Sequence, residues 1–279
     1  VIQGFWIAYL RIPAFIVTLA GMLLWRGVAL IILNGLTISP FPENYLTIFN
    51  SYIPDMFSGS INILALLVGI IVCVGYVVSQ IIGRARKSSK GYEVENFGPF
   101  LGRMIVICMV TIALAYSLAA HRGIPTILIL LAFVVIVYGY YTTKTVPGRY
   151  LYAVGGNEKA ARLSGVNTNN VLMFAYVNMA FLSAVAALMC VARFNSAAPT
   201  AGTSYEMDAI GACYIGGASA YGGTGTVGGV VIGAIFMGVL NNGMSIMGID
   251  ANVQKVVKGV VLLAAVTFDV ISKKRGKTA

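Results

Sequence analysis

The sequence predicts an all-α fold: a polytopic transmembrane helical bundle with broken or half-spanning helices. Three observations carry that expectation. Of its 279 residues, 58% are hydrophobic and only 10% are charged, against about 25% charged in soluble domains. The apolar residues are gathered into runs long enough to cross a hydrocarbon core of about 30 Å at about 1.5 Å per residue. The basic residues stand at the ends of those runs rather than on one face, so the net charge of +10 reads as membrane topology and not as a nucleic-acid surface.

Residues 1–10 read as the end of a membrane helix leaving at Arg11. Because Val1 leads straight into Ile-Gln-Gly-Phe-Trp, with no initiator methionine, charged leader or cleavage site, an N-terminal part is expected to be missing. Pro13 suits a first helical turn, and residues 13–35 make a full crossing with Arg26 at its middle. That arginine either faces protein, water or a carboxylate, or snorkels beside Trp25. Residues 36–60 contain Pro40, Pro42, Glu43, Pro54 and Asp55 but no Lys or Arg, and read as an exterior loop with a short surface helix near residues 45–52. Residues 61–82 form the next span, whose end Arg84, Arg86, Lys87 and Lys90 assign to the cytoplasm. Residues 91–99, with Glu93 and Glu95, are polar linker. Residues 104–120 cross outward, His121 to Pro125 turn, and residues 126–142 return.

A charged interruption at residues 144–166 then separates two apolar runs. Pro147-Gly148 and Gly155-Gly156 are loop breakers. Asn157 is a good N-cap, Glu158 favours a first turn and Gly165 a helix end, so residues 158–164 are predicted to form one or two helical turns. A helix this short does not persist alone in water, so something must hold it. On residues alone the segment is either an ordinary membrane loop or a docking element.

Residues 169 or 170 to 192 cross outward, leaving 193–204 outside. Residues 207–219 are apolar but too short for a lipid-facing crossing, which suits a half-helix or a span buried in protein. Residues 216–229 are rich in glycine. No lysine or arginine lies between Arg193 and Lys255, so the Gly-Lys-Ser/Thr of a nucleotide-binding loop is absent. Gly222, Gly225, Gly229 and Gly233 either let helices approach closely or expose the backbone of a broken helix to a solute. Residues 230–240 continue as helix, and 253–271 make the last crossing before Lys273, Lys274, Arg275 and Lys277. In this arrangement Arg122 and Arg193 are the basic residues left in outside loops, and Lys255 and Lys258 enter the last span from the outer side. The bias places residues 144–166 and the C-terminus in the cytoplasm.

Catalysis finds little support. Glu206 and Asp208 have no His, Cys or second acidic cluster set beside them, and are expected to cap the short helix that follows. Strongly acidic residues are absent from mid-span, where an ion relay would need one. His121 is the only histidine, and Cys73, Cys108, Cys190 and Cys213 stand singly in apolar runs, so no metal or other cofactor is expected.

Residues 148–167, GRYLYAVGGNEKAARLSGVN, closely resemble the cytoplasmic loop of bacterial ABC-type monosaccharide permeases, the ribose, xylose and galactose importer family. Three other stretches look like the same family: residues 12–19 (IPAFIVTL) with Arg26-Gly27, residues 205–211 (YEMDAIG) through Gly216-Gly217 and Gly222-Gly223, and residues 257–269 (VKGVVLLAAVTFD). The charged insert at 84–99 is more similar to the xylose or multiple-sugar branch. Family members usually carry further N-terminal residues.

The resemblance implies a single permease domain over residues 1–279, with residues 144–166 as its cytoplasmic coupling loop. It implies an inner-membrane transport subunit rather than an enzyme, working as a homodimer in lipid. A cytoplasmic ATP-binding subunit would hydrolyse ATP, an extracytoplasmic sugar-binding protein would deliver a monosaccharide, and nucleic acid has no part. The docking residues expected for the ATP-binding subunit are Gly155, Gly156, Asn157, Glu158, Ala160, Ala161, Arg162 and Gly165. Small Ala160 and Ala161 permit close approach, while Glu158 and Arg162, four apart, can pair on the helix and aim at the partner. Because a monosaccharide is uncharged, Asn34, Asn178, Asn241 and Asn242 are pathway candidates, although interhelical hydrogen bonds account for them equally. The alternative from another class is an ion-coupled or facilitative secondary carrier that needs no ATPase. A membrane-embedded enzyme is the weaker third.

Overall fold

Hydrocarbon offers no water to backbone amides, so a chain of long apolar runs must close its hydrogen bonds inside helices. The computed structural model describes residues 1–54, 62–91 and 97–276, with side chains through Ile271. Among these described residues the chain forms twelve α-helices. They are α1 (Ile2–Ala8), α2 (Ala14–Leu33), α3 (Glu43–Asn50), α4 (Ile63–Ser89), α5 (Phe97–His121), α6 (Thr126–Lys144), α7 (Val146–Gly156), α8 (Glu158–Leu163), α9 (Thr168–Phe194), α10 (Tyr205–Ile215), α11 (Val227–Ile246) and α12 (Ala251–Gly276).

Six of these, α2, α4, α5, α6, α9 and α11, are long and apolar enough to cross a membrane. The chain is a multi-pass membrane protein. None of the most apolar window of α6 or of α9 is buried within the chain, which a water-soluble fold could not sustain. Helix α12 has 26 residues and reaches about 39 Å. Helix α10, at 11 residues, reaches about 16 Å, half a hydrocarbon core. Short polar side chains start the helices. Asn62, Thr145, Asn157, Asn167 and Thr226 each accept a hydrogen bond from the backbone N–H three residues on, at the heads of α4, α7, α8, α9 and α11.

Several bounds differ from the sequence expectation. Helix α7 was expected as loop because of Pro147-Gly148, yet proline near a helix start gives up an N–H that has no intrahelical partner there, and Thr145 caps Gly148 N at 3.2 Å. Helix α11 runs through Asn241, Asn242 and Gly243 to Ile246 instead of stopping near residue 240, because a membrane helix tolerates glycine and the Asn241 amide finds a partner on α10. Helix α5 begins at Phe97, inside the expected linker. Asp55, Glu93 and Glu95, and the side chains of the basic tail, lie outside the described residues.

The chain divides into two compact units, Pro42–Leu131 and a larger one made of Val1–Phe41 with Ala132–Ala279. In the smaller unit α4 and α5 pair closely where Gly69 meets Ala115. A small core of Ala65, Ala119 and Ile124 closes one end of that pair. At the other end Arg84 lies over the rings of Phe100 and Phe97, 4.7 and 5.6 Å from their centroids.

In the larger unit α1 lies against α2 and α9, α7 and α8 lie against α9, and α10 is held by α11 and α12. The α10–α11 contact is built on small residues. A Cβ at Gly233 would overlap the Ala212 carbonyl, and one at Gly216 would come within 2.6 Å of Val230 N. Beyond α2 and α9 the chain is tied by backbone hydrogen bonds of 3.0 Å in both directions between Ile38 and Ala197. Replacing Gly233 by valine should therefore cost about 1–3 kcal/mol of overpacking and lower the thermal unfolding midpoint in detergent. Gly228→Ala, at a helical position with open space, should hold or raise it.

Candidate functional site

Helix α8 has six residues, too few to nucleate by itself, and four features of the chain hold it. Asn157 Oδ1 accepts from Ala160 N at 3.0 Å, which caps the first turn. Gly165 ends the helix at φ +83, a conformation glycine adopts without a Cβ penalty. Ala161 is buried on the inner face of α8. The fourth hold comes from far away in sequence. Arg11, in the turn between α1 and α2, donates to Glu158 Oε1, to Asn169 Oδ1 at 2.5 Å and to buried Thr168 Oγ1 at 3.3 Å.

One guanidinium thus joins the α1–α2 turn to the start of α8 and the start of α9. Its planar fork of donors suits three convergent acceptors in a way a lysine does not. Arg11 itself sits at φ 56, a left-handed conformation that costs a bulky residue about 1–3 kcal/mol, and the three hydrogen bonds offset that strain. The guanidinium holds the Glu158 carboxyl below its usual range. Burial opposes the shift, and Thr168 and Arg162 add to it. The expected Glu158–Arg162 pair is replaced by Glu158–Arg11, because Arg11 brings a fixed set of partners whereas an exposed i,i+4 pair contributes little.

Helix α7 is keyed to the glycine-rich loop between α10 and α11. A Cβ at Gly222 would fall on the Gly155 carbonyl, and one at Gly223 would come within 2.7 Å of Gly156 Cα. Both loop glycines are at positive φ, +82 and +74. Tyr152 Oη donates to the Gly225 carbonyl at 2.9 Å. From the other side Asp269 Oδ2, on α12, accepts from Ala220 N at 3.3 Å. The loop is thereby fixed to α7 and α12 together.

Most of the expected docking residues have a task inside the chain. Gly155 and Gly156 give the glycine loop its approach, Asn157 caps, Glu158 is bound by Arg11, Ala161 is buried and Gly165 terminates the helix. Ala160 and Arg162 remain exposed on the outer face of α8, beside Lys159 and Leu163. Leu163 is 90% exposed, an apolar side chain at the tip of an otherwise polar helix. Sequence reasoning missed Leu163 and Arg11. The signal for Leu163 was an apolar residue in the last turn of a charged helix, whereas Arg11 offered none beyond its charge.

The asparagine candidates divide by role. Asn34 is the C-cap of α2 in a left-handed conformation, φ 48, a structural task. Asn178 accepts from Tyr138 Oη at 2.6 Å across α6 and α9. It lines a cavity of about 460 Å³ together with Tyr138, Tyr141, Phe174 and Ser183. Asn241 donates to Asp208 Oδ2 at 3.0 Å, and Asn242 is exposed. Asp208 was expected to cap α10. Its carboxylate instead takes both Asn241 Nδ2 and Lys258 Nζ, the latter at 2.9 Å, since two side-chain donors inside the bundle outweigh a helix dipole near water.

Residues 1–266 match the family model described as branched-chain amino acid transport system / permease component. The xylose transport system permease protein XylH of Escherichia coli (strain K12) is 38% identical over 273 residues, 98% of this chain and 68% of that protein. The Haemophilus influenzae XylH is 37% identical over 273 residues, 98% of this chain and 71% of that protein. The ribose import permease protein RbsC of Escherichia coli (strain K12) is 43% identical over 154 residues, 55% of this chain and 48% of that protein. No solved structure matches the chain.

If Arg11 holds α8, Arg11→Gln should raise amide hydrogen exchange across residues 159–164 by about tenfold or more while leaving α11 unchanged. The stabilisation from the depressed Glu158 carboxyl is present above the ordinary carboxylate range and is lost as pH falls through its lowered value. Acidification should accordingly weaken α8 protection in the native chain and change little in the variant.

Proposed function

From its membership of the permease-component family of branched-chain amino acid transport systems, we propose that this chain is the membrane-spanning subunit of an ATP-driven importer that carries a monosaccharide across a bacterial inner membrane. The observation that carries the reading is likeness to xylose permeases over 98% of the chain, together with a braced helix α8 whose outer face is left uncovered. Residues 1–279 act as one permease domain. The basic residues at the span ends support a cytoplasmic position for 144–166 and the C-terminus.

The chain's own part is to bind and transmit. Lys159, Ala160, Arg162 and Leu163 form a small basic surface with an apolar tip, suited to an acidic-rimmed apolar groove on a cytoplasmic ATP-binding subunit. Hydrolysis of ATP belongs to that subunit. Movement of the groove is passed on because α8 cannot shift without Arg11, and α7 cannot shift without the glycine loop. Gly155, Gly156, Asn157, Glu158, Ala161 and Gly165 support docking from behind. A sugar-binding protein outside the membrane delivers the solute, and a second copy of the chain completes the passage. Asn178 with Tyr138, Tyr141 and Phe174 gives that passage neutral hydrogen-bonding groups and aromatic faces, which suit an uncharged polyol.

Uptake into proteoliposomes separates this reading from a secondary carrier. Sugar accumulation should require ATP, the ATP-binding subunit and the binding protein, and uptake by this chain alone driven by a proton or sodium gradient would overturn it. Leu163→Asp should cut co-purification of the ATP-binding subunit by at least about tenfold, equivalent to about 1.4 kcal/mol, with membrane insertion intact. Undiminished co-purification would count against docking through α8.

A further inference from the structure

The half-helix α10 is gripped at the end remote from the glycine loop by a charge pair that transport, as read so far, leaves unused. Lys258 Nζ on α12 and Asn241 Nδ2 on α11 converge on one oxygen, Oδ2 of Asp208, at 2.9 and 3.0 Å. The pair is largely withdrawn from the surface. Lys258 is seven residues inside α12, about 10 Å from that helix's start, and about 16 Å along it from Asp269. The side chains of Lys258 and Asp208 are 18% and 21% exposed.

Three helices therefore meet at one carboxylate, Asp208 from α10 with Asn241 from α11 and Lys258 from α12, and neutralising either charge leaves the other short of its partner.

The same helix α12 holds α10 and its loop twice, by Lys258 at the head and by Asp269 at Ala220 beyond the tail. Between these points the loop is keyed to α7 through Gly155, Gly156, Gly222 and Gly223. A displacement of α7 therefore reaches the loop directly, and α10, only 11 residues long, transfers it to the charge pair.

We propose that Asp208 and Lys258, completed by Asn241, are positioning residues for transport: their ion pair anchors the far end of α10 to α11 and α12, so that movement of α7 and its glycine loop becomes movement of these helices. The inference rests on the importer reading above.

The test uses the full chain assembled with its ATP-binding subunit and binding protein in proteoliposomes. Asp208→Asn and Lys258→Gln should each lower sugar moved per ATP hydrolysed by at least about tenfold. Assembly and basal ATP hydrolysis should stay as in the native complex. Lys258→Arg should retain coupled transport, and the exchange D208K with K258D should recover part of what either single change loses. Native coupling in the neutral variants would overturn the inference, as would loss of transport only in step with loss of assembly. Uptake by the unaltered complex that ignores ATP would overturn the importer reading itself and this inference with it.

Discussion

The constraint behind the structure is that a six-residue helix cannot hold itself, so the rest of the chain must fix it in place. Helix α8 buries one small side chain, Ala161, and its caps supply only its ends. What fixes it in place is the Arg11 guanidinium, drawn from a turn 147 positions away in sequence and shared with Thr168 and Asn169 at the head of α9. Remove that one group and α8 is joined to the bundle chiefly through backbone. With it, the α1–α2 turn, α8 and α9 move together.

Close approach of glycine to glycine supplies the second rigid joint. Gly155 and Gly156 meet Gly222 and Gly223 with backbone against backbone, a contact with no side chain to yield, so displacement on one side appears on the other. The rest of the chain is less constrained. None of the most apolar stretch of α6 or α9 is buried within the chain, which leaves those surfaces to lipid or a second copy. Rigid joints at α7 and α8 and lightly packed spans around them suit a subunit whose helices shift relative to one another.

Much of this was legible in the sequence, and for physical reasons. Long apolar runs with basic ends admit few folds, so five of the six spans were readable, while α11 was read too short to cross. Asn157, Glu158 and Gly165 act locally, and local chemistry placed α8 to within a residue. The short α10 was readable because length alone denied it a crossing. Partnerships across the chain were not. Glu158 had an obvious mate in Arg162, and only the fold brings Arg11 to it. Glycines at 155 and 156 suit docking to another protein as well as packing on their own chain, and sequence does not separate the two. Asp208 read as a cap because its donors, Asn241 and Lys258, sit on two later helices. Helix α7 was missed because proline at a helix start and proline in a loop are the same letters.

The most direct measurement is a structure of the full chain assembled with its ATP-binding subunit in a lipid bilayer. The account predicts α8 seated in a groove of that subunit, Leu163 buried in the contact and Arg11 still bound to Glu158. An assembly in which α8 lies free in solvent while the ATP-binding subunit grips another part of the chain would contradict it.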